Sequence, residues 1–211
     1  MKLIYTGLIL IVAISGYAQT DPEATKILDE VSNKALSQNA LNIDFKYIIN
    51  DQKENATYEQ NGELTLKGKL YKLDLLGNTL YFDGSKNYNY IKEANEVNIT
   101  LPDDNTDNIF FTDPSDLFTF YKEGYKSRLN SANENIADID LFPSDIDLSY
   151  FRINFIVDVK NKNIKSFKVY GKEGVQYEII LKSIKPVQIN DDDFKFNPKK
   201  YPGIEIIDMT E

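Results

Sequence analysis

Apolar and polar residues alternate along most of this chain. Ile43, Phe45 and Tyr47 are separated by Asp44 and Lys46, and Tyr58, Gly62, Leu64 and Leu66 continue the theme. Further sets are Tyr71, Leu73 and Leu75; Leu80 and Phe82; Tyr88 and Tyr90; Val97, Ile99 and Leu101. A period of two puts the members of each set on one face of a strand. The breaks between sets are turn-like: Asp51 to Asn55, Lys67-Gly68-Lys69, Gly77-Asn78 and Asp83-Gly84-Ser85. Gly84 supplies the positive φ that a tight turn requires. Links this short leave no room for a crossover helix, so the six strands form an antiparallel meander.

Alternation returns at Phe151, Ile153, Phe155, Val157 and Val159. It passes a turn at Asn161-Lys162-Asn163 and continues in Ile164, Phe167 and Val169. After Gly171-Lys172-Glu173-Gly174 come Val175, Tyr177, Ile179 and Leu181. Pro186 ends this second meander or marks an edge. Phe194 and Phe196 predict a short piece, and Ile204-Glu205-Ile206-Ile207 a last strand.

Two segments follow other rules. Over 23–38, Ala24, Ile27, Leu28, Val31, Ala35 and Leu36 recur at helical spacing, with Asp21 placed to cap and Pro22 in the first turn. Over 102–149 the pattern breaks into a polar link, an apolar knot (Ile109, Phe110, Phe111), and a short helix opening at Pro114. That helix carries Leu117, Phe118, Phe120 and Tyr121 and stops at Gly124; an acidic stretch follows, with Asp138, Asp140, Asp145 and Asp147. So many aromatics cannot all face water cheaply. They plug a sheet, or they form a lid that leaves when a ligand enters.

Ten or eleven strands in one sheet must curl or close. The expected fold is mainly β: a strongly curved antiparallel sheet forming an unclosed barrel, with an N-terminal helix and a helical lid insertion over 102–149. Such a barrel fills its interior with side chains or holds a ligand there.

The first residues change the picture of where this happens. Lys2 precedes an apolar run ending in Leu8-Ile9-Leu10-Ile11-Val12-Ala13-Ile14, and Gly16 and Ala18 are the small residues of a cleavage site. This pattern predicts a secretory signal peptide over residues 1–18. The run is shorter than the roughly 20 residues of a membrane-spanning helix. No Cys follows to carry a lipid. A single soluble domain over 19–211 is expected outside the cytoplasm.

Composition removes several chemistries. The chain has no Cys, His or Trp, so no His-based triad, Cys nucleophile or ordinary zinc site can be assembled. A net charge of −9 opposes general contact with nucleic acid or an anionic surface. Asp103, Asn105 and Asp107 alternate like the start of a calcium loop but lack its Gly and distal Glu. Asp191-Asp192-Asp193 reads as a solvated turn, and Glu173 between its glycines as a hairpin residue. A glycosidase needs only two carboxylates, so carboxylates alone leave an enzyme open. The 12 Phe and 14 Tyr favour binding instead. Burying a methylene is worth roughly 0.8 kcal/mol, so an acyl chain gains affinity with no special polar chemistry. The bland alternative is a non-enzymatic envelope-assembly or binding module with a packed core.

The order of short motifs adds a resemblance. Lys67-Gly68-Lys69 precedes Tyr71, and Asp83-Gly84 precedes Tyr90 and Asn95-Glu96-Val97. Pro114 precedes Leu117-Phe118-Thr119-Phe120-Tyr121, and Asp138-Ile139-Asp140-Leu141 stands before Pro143. The chain closes on Asp193-Phe194-Lys195-Phe196-Asn197-Pro198 and Tyr201-Pro202-Gly203-Ile204. Over about residues 23–208 the chain resembles the outer-membrane lipoprotein carrier (LolA-like) family, in its Bacteroidetes-type branch. The resemblance implies a monomeric periplasmic carrier, with no cofactor and no catalysis. Such a carrier takes acylated lipoprotein or lipid cargo from an inner-membrane release complex to an outer-membrane acceptor. It implies a cavity for the acyl chains, with Phe45, Tyr47, Leu64, Leu66, Leu73, Leu75, Phe82 and Phe155 as candidate lining. It makes residues 114–123 a lid, with Phe110, Phe111, Leu117, Phe118 and Tyr121 as its contact residues. Two features depart from the family: the arginine that proteobacterial members carry after the first strand is missing, and so is the Arg-Trp pair near the third strand, where Tyr71-Lys72 stand; Arg128 and Arg152 are the only arginines.

Overall fold

A computed structural model describes residues 20–102 and 114–210. The expected signal peptide, the Asp103–Asn105–Asp107 group and the lid residues Phe110 and Phe111 lie outside the described residues.

The first described element is helix α1 (Pro22–Leu36), capped by the Asp21 side chain, which accepts from the backbone N–H of Glu23 and Ala24. Strands β1 (Leu41–Asp51), β2 (Ala56–Lys67), β3 (Leu70–Leu75), β4 (Asn78–Phe82), β5 (Asn87–Ile91) and β6 (Glu96–Thr100) form the first meander. After the undescribed stretch come β7 (Tyr125–Ala132), β8 (Ile136–Pro143), β9 (Tyr150–Asp158), β10 (Asn163–Gly171) and β11 (Val175–Pro186), and β12 (Glu205–Asp208) ends the chain. Among the described residues these make one twelve-stranded sheet in the order β12-β6-β5-β4-β3-β2-β1-β11-β10-β9-β8-β7. The pairing of β1 with β11 joins the two meanders. All ladders are antiparallel except that of β12, which runs parallel to β6. β7 and β12 stand at opposite ends of this order and do not pair with each other, so the sheet curls without closing.

The 102–149 segment differs from the sequence reading. It is not one insertion, because residues 125–143 supply β7 and β8. The first part of the stretch read as acidic is a half-buried strand: Ala137, Ile139 and Leu141 are buried on the core face while Asp138 and Asp140 point the other way, and Asp145 and Asp147 follow in the bend after it. The expected helix at 114–123 is reduced to two single 3-10 turns, Pro114–Asp116 and Phe120–Lys122. Leu36 also departs from the expected helix stripe and stands 60 % exposed.

One buried cluster unites the molecule. It joins Ile43, Phe45 and Tyr47 of β1 with Leu73 of β3, Ile139 of β8, Phe155 of β9 and Leu28 and Val31 of α1. Residues at the two halves of the sheet share this cluster because the sheet wraps around it. The register shift in the β1–β11 ladder between Asp44 and Phe45 adds local bend and twist at the centre of the sheet. The opposite face carries ion pairs such as Lys72–Asp74 at 3.3 Å and Lys168–Glu178 at 2.9 Å.

Asp21 also covers an edge. Its backbone N–H donates to the Ser127 carbonyl at 3.0 Å, and its second carboxylate oxygen accepts from the Leu129 N–H at 3.2 Å. The helix start thus occupies hydrogen-bonding groups of β7 that would otherwise invite another strand. These backbone donors hold the Asp21 carboxyl below its ordinary pKa.

Candidate ligand-binding face

Strand parity decides which side chains meet. The residues expected to line a cavity project from β1, β2, β3, β4 and β9 onto the same face. Phe45, Tyr47, Leu64, Leu66, Leu73, Leu75 and Phe155 are buried there, and Phe82 is half-buried against them. Phe155 stacks on Phe167 of β10, centroids 5.4 Å apart, and Tyr71 stacks on Phe82 at 5.7 Å. Tyr47 stacks on Tyr177 of β11 at 6.3 Å. Burial pushes the Tyr47 hydroxyl well above its ordinary pKa, with Tyr177 adding to it. The face is therefore apolar, and the Tyr47 hydroxyl on it stays protonated.

Residues 114–122 lie across this face as a strap. Leu117, Phe118 and Tyr121 belong to the buried cluster, and Phe120 packs against Phe155 at 5.8 Å and edge-on to Tyr125 at 5.4 Å. Two polar contacts fasten it. Lys69 pairs with Asp116 at 2.8 Å, and the Tyr121 hydroxyl donates to the Asp29 carboxylate of α1 at 2.6 Å. Burial and the neighbouring Asp29 push the Tyr121 pKa up, so this hydroxyl remains a donor. Their magnitudes rank these fasteners. The Lys69–Asp116 pair is exposed, and exposed pairs are worth about 0–1 kcal/mol. Burying a Leu or Phe side chain is worth roughly 1.5–3 kcal/mol. Apolar packing holds the strap, and the polar contacts fix its register. Tyr121→Phe is expected to lower stability by about 1 kcal/mol, with the midpoint of urea unfolding as the measurement. Asp29→Asn should do less, since the amide oxygen still accepts.

Among the hollows that border the described sheet, two adjoin the strap or the tail. One, of about 120 Å³, sits between α1, the start of β1, the end of β11 and Phe118 of the strap. The other, of about 450 Å³, is on the opposite face, between Glu63, Lys72 and Tyr81 and the tail residues Lys195 and Tyr201. Phe196 of the tail stacks with Tyr201 at 5.2 Å and Tyr88 at 6.0 Å, and Phe194 is wholly buried. The larger hollow is polar and offers no room for an acyl chain among apolar groups. It has no counterpart in the sequence reading, which took the tail as a solvated turn, a short apolar piece and a last strand. The smaller one escaped as well, since its walls come from four distant segments. Among the described residues no group of three or more acidic side chains is arranged to hold a metal. Asp191, Asp192 and Asp193 are separately engaged by Lys67, Lys195 and the Asn190 N–H.

An unclosed curved sheet with an apolar inner face, a helix packed against it and an apolar strap across it defines a class of fold, the half-barrel. Comparison with known families makes that class specific. Residues 14–170 match the family described as outer membrane lipoprotein carrier protein LolA, and the chain belongs to that family. Among solved structures, an uncharacterized conserved protein from Thermus thermophilus is 13 % identical, with a TM-score of 0.54 covering 88 % of this chain and 99 % of that one. A LolA superfamily protein from Nitrosomonas europaea is 11 % identical, with a TM-score of 0.46 over 82 % of this chain and 97 % of that one. LprF from Mycobacterium bovis is 14 % identical, with a TM-score of 0.46 over 82 % and 98 %. Among curated proteins, none matches the chain in sequence.

Proposed function

We propose that this protein is a periplasmic carrier that shields the acyl chains of lipoproteins, or of a related lipid, between the inner and outer membranes. The observation that carries the reading is the strap: residues 117–121 contribute side chains to the same buried cluster as the floor of the sheet. The hollow beside it, about 120 Å³, is smaller than the ~300–1,000 Å³ of usual ligand sites. Cargo must therefore displace the strap. An acyl chain replaces Leu117, Phe118 and Phe120 by equivalent apolar contacts, so the exchange is close to neutral in energy and is reversible. Reversibility is what a carrier needs in order to release as well as bind. By family, the cargo comes from an inner-membrane release complex and goes to an outer-membrane acceptor. Secretion by the N-terminal segment is part of the same proposal.

The chain lacks native cysteine, so a pair introduced by Lys69→Cys and Asp116→Cys is uniquely reactive. Bridging that pair with a short bis-maleimide should abolish uptake of a fluorescent acyl probe, while the unbridged variant keeps it. Native mass spectrometry of protein taken from its own periplasm should show a retained lipidic mass on a single chain. Uptake that is indifferent to the bridge, or no uptake and no lipidic mass at all, contradicts the carrier reading.

A further inference from the structure

We propose that the hollow between α1 and the end of β11 is the entry portal for one acyl tail, and that it selects amphiphiles with an anionic head. The proposal rests on the carrier reading and adds where the tail enters and which head accompanies it.

The hollow is apolar inside and basic at its rim. Val31, Ala35, Leu41, Phe118, Ile184 and Pro186 form the apolar wall. Three of these, Val31, Leu41 and Phe118, are also members of the buried cluster. Phe118 is thus the partition between the hollow and the inner face of the sheet. Displacing the strap moves that ring and opens the hollow toward the inner face of the sheet.

The ionisable residues lining the hollow are Lys34 and Lys162, with no carboxylate among them. Lys34 donates to two neutral oxygens, the Asn161 carbonyl at 2.6 Å and Asn163 Oδ1 at 2.9 Å, so its charge is held in place without being neutralised. Lys162 reaches the Glu30 carboxylate on α1 at 3.3 Å. Two lysines against one glutamate leave a positive rim on a protein whose net charge is −9. The same turn of α1 carries Leu36, 60 % exposed. An apolar throat with an exposed leucine beside it and a cationic rim fits a tail followed by a negative head. A neutral head would leave the positive rim without a counter-charge. The two lysines come from segments about 130 residues apart in sequence, as the Lys34–Asn163 contact shows. The folded sheet creates this rim.

The test compares two probes with the same tail, a fluorescent polyene fatty acid and its methyl ester, on the full chain at pH 8 and low salt. The acid is expected to bind about three- to tenfold tighter than the ester, the range two exposed charge contacts supply. Lys34→Gln with Lys162→Gln should erase that preference by bringing the acid's affinity down to that of the ester. Ala35→Phe, which fills the throat from a helix position, should weaken both probes by about tenfold or more without lowering the melting temperature. Equal affinity for acid and ester in the unaltered protein overturns the head selectivity. Unchanged binding by Ala35→Phe overturns the portal, and the carrier reading then stands with another entrance. Failure of either probe to bind any form overturns both readings together.

Discussion

Asp140→Ala is expected to cost about 2–4 kcal/mol of stability at neutral pH. Asp140 is 1 % exposed, yet it lies on the face of β8 away from the apolar core. Arg128 reaches it at 2.7 Å, Arg152 at 3.5 Å, and Asn154 donates to its other oxygen at 2.9 Å. The guanidiniums in turn lie over aromatic rings, Arg152 on Tyr170 at 3.9 Å and Arg128 on Phe142 at 5.0 Å. Removing one member of a buried ion pair typically costs about 3–5 kcal/mol, because the partner charge is left uncompensated. Both arginines keep part of their contact with water here, 58 % and 30 %, which lowers the expected figure. The pH dependence has a fixed sign. Burial pushes the Asp140 carboxyl up, but the hydrogen bonds from Asn154 and Arg128 and the charge of Arg152 outweigh it, and the net pKa lies below its ordinary 3.8. A carboxyl lowered in the folded state contributes fully above its unfolded pKa and loses that contribution as pH falls through the folded one. Urea unfolding at pH 7 should separate the two proteins widely, and the gap should narrow below about pH 3. A gap that is the same at both pH values contradicts the network.

Both arginines of the chain meet on this one carboxylate, far from the strap. The sequence alone could not reveal this. Asp138, Asp140, Asp145 and Asp147 read as one acidic stretch of an insertion, which masked the period-two alternation of Ala137, Ile139 and Leu141. The arginines that bury Asp140 come from β7 and β9, which flank it only after the strands pair. Where apolar alternation ran unbroken, as in β1 or β9, the strands were legible. Where a buried charge stood in for solvent exposure, they were not.

The apolar face was legible in part. Strand parity grouped Phe45 with Tyr47 and Leu64 with Leu66, and these pairs share the core face of the structure. Parity gives a side of the sheet; it does not tell how the sheet bends or what covers it. The aromatic run at 117–121 identified a covering element, but its 3-10 geometry and its fasteners, Lys69 and Asp29, are tertiary facts. The parallel placement of β12 beside β6 is also tertiary. It requires the tail to cross the outer face, where Phe194 and Phe196 anchor it.

Gly62→Val is expected to destabilise the protein by about 3 kcal/mol, the upper part of the range for forced overpacking of a core. Gly62 lies in the middle of β2, directly opposite Phe45 of β1. A Cβ at this position would come within 2.3 Å of Phe45 Cζ and 2.6 Å of Cε2. Real side chains do not approach so closely, so the ring must leave its place. Phe45 is 1 % exposed and sits beside the register shift in the β1–β11 ladder. A glycine within a strand is otherwise unfavourable, and a β-branched replacement would gain roughly 1 kcal/mol of strand preference. The clash exceeds that gain, which makes the missing side chain a packing requirement. The Phe45 ring occupies the space over Gly62 that a side chain there would need. A double-mutant cycle isolates the effect. Phe45→Leu removes the atoms in conflict, so the pair Phe45→Leu with Gly62→Val should be more stable than the sum of the single losses by about 1 kcal/mol or more. Additive losses in denaturant unfolding would mean that Gly62 serves the strand for some reason other than the Phe45 ring.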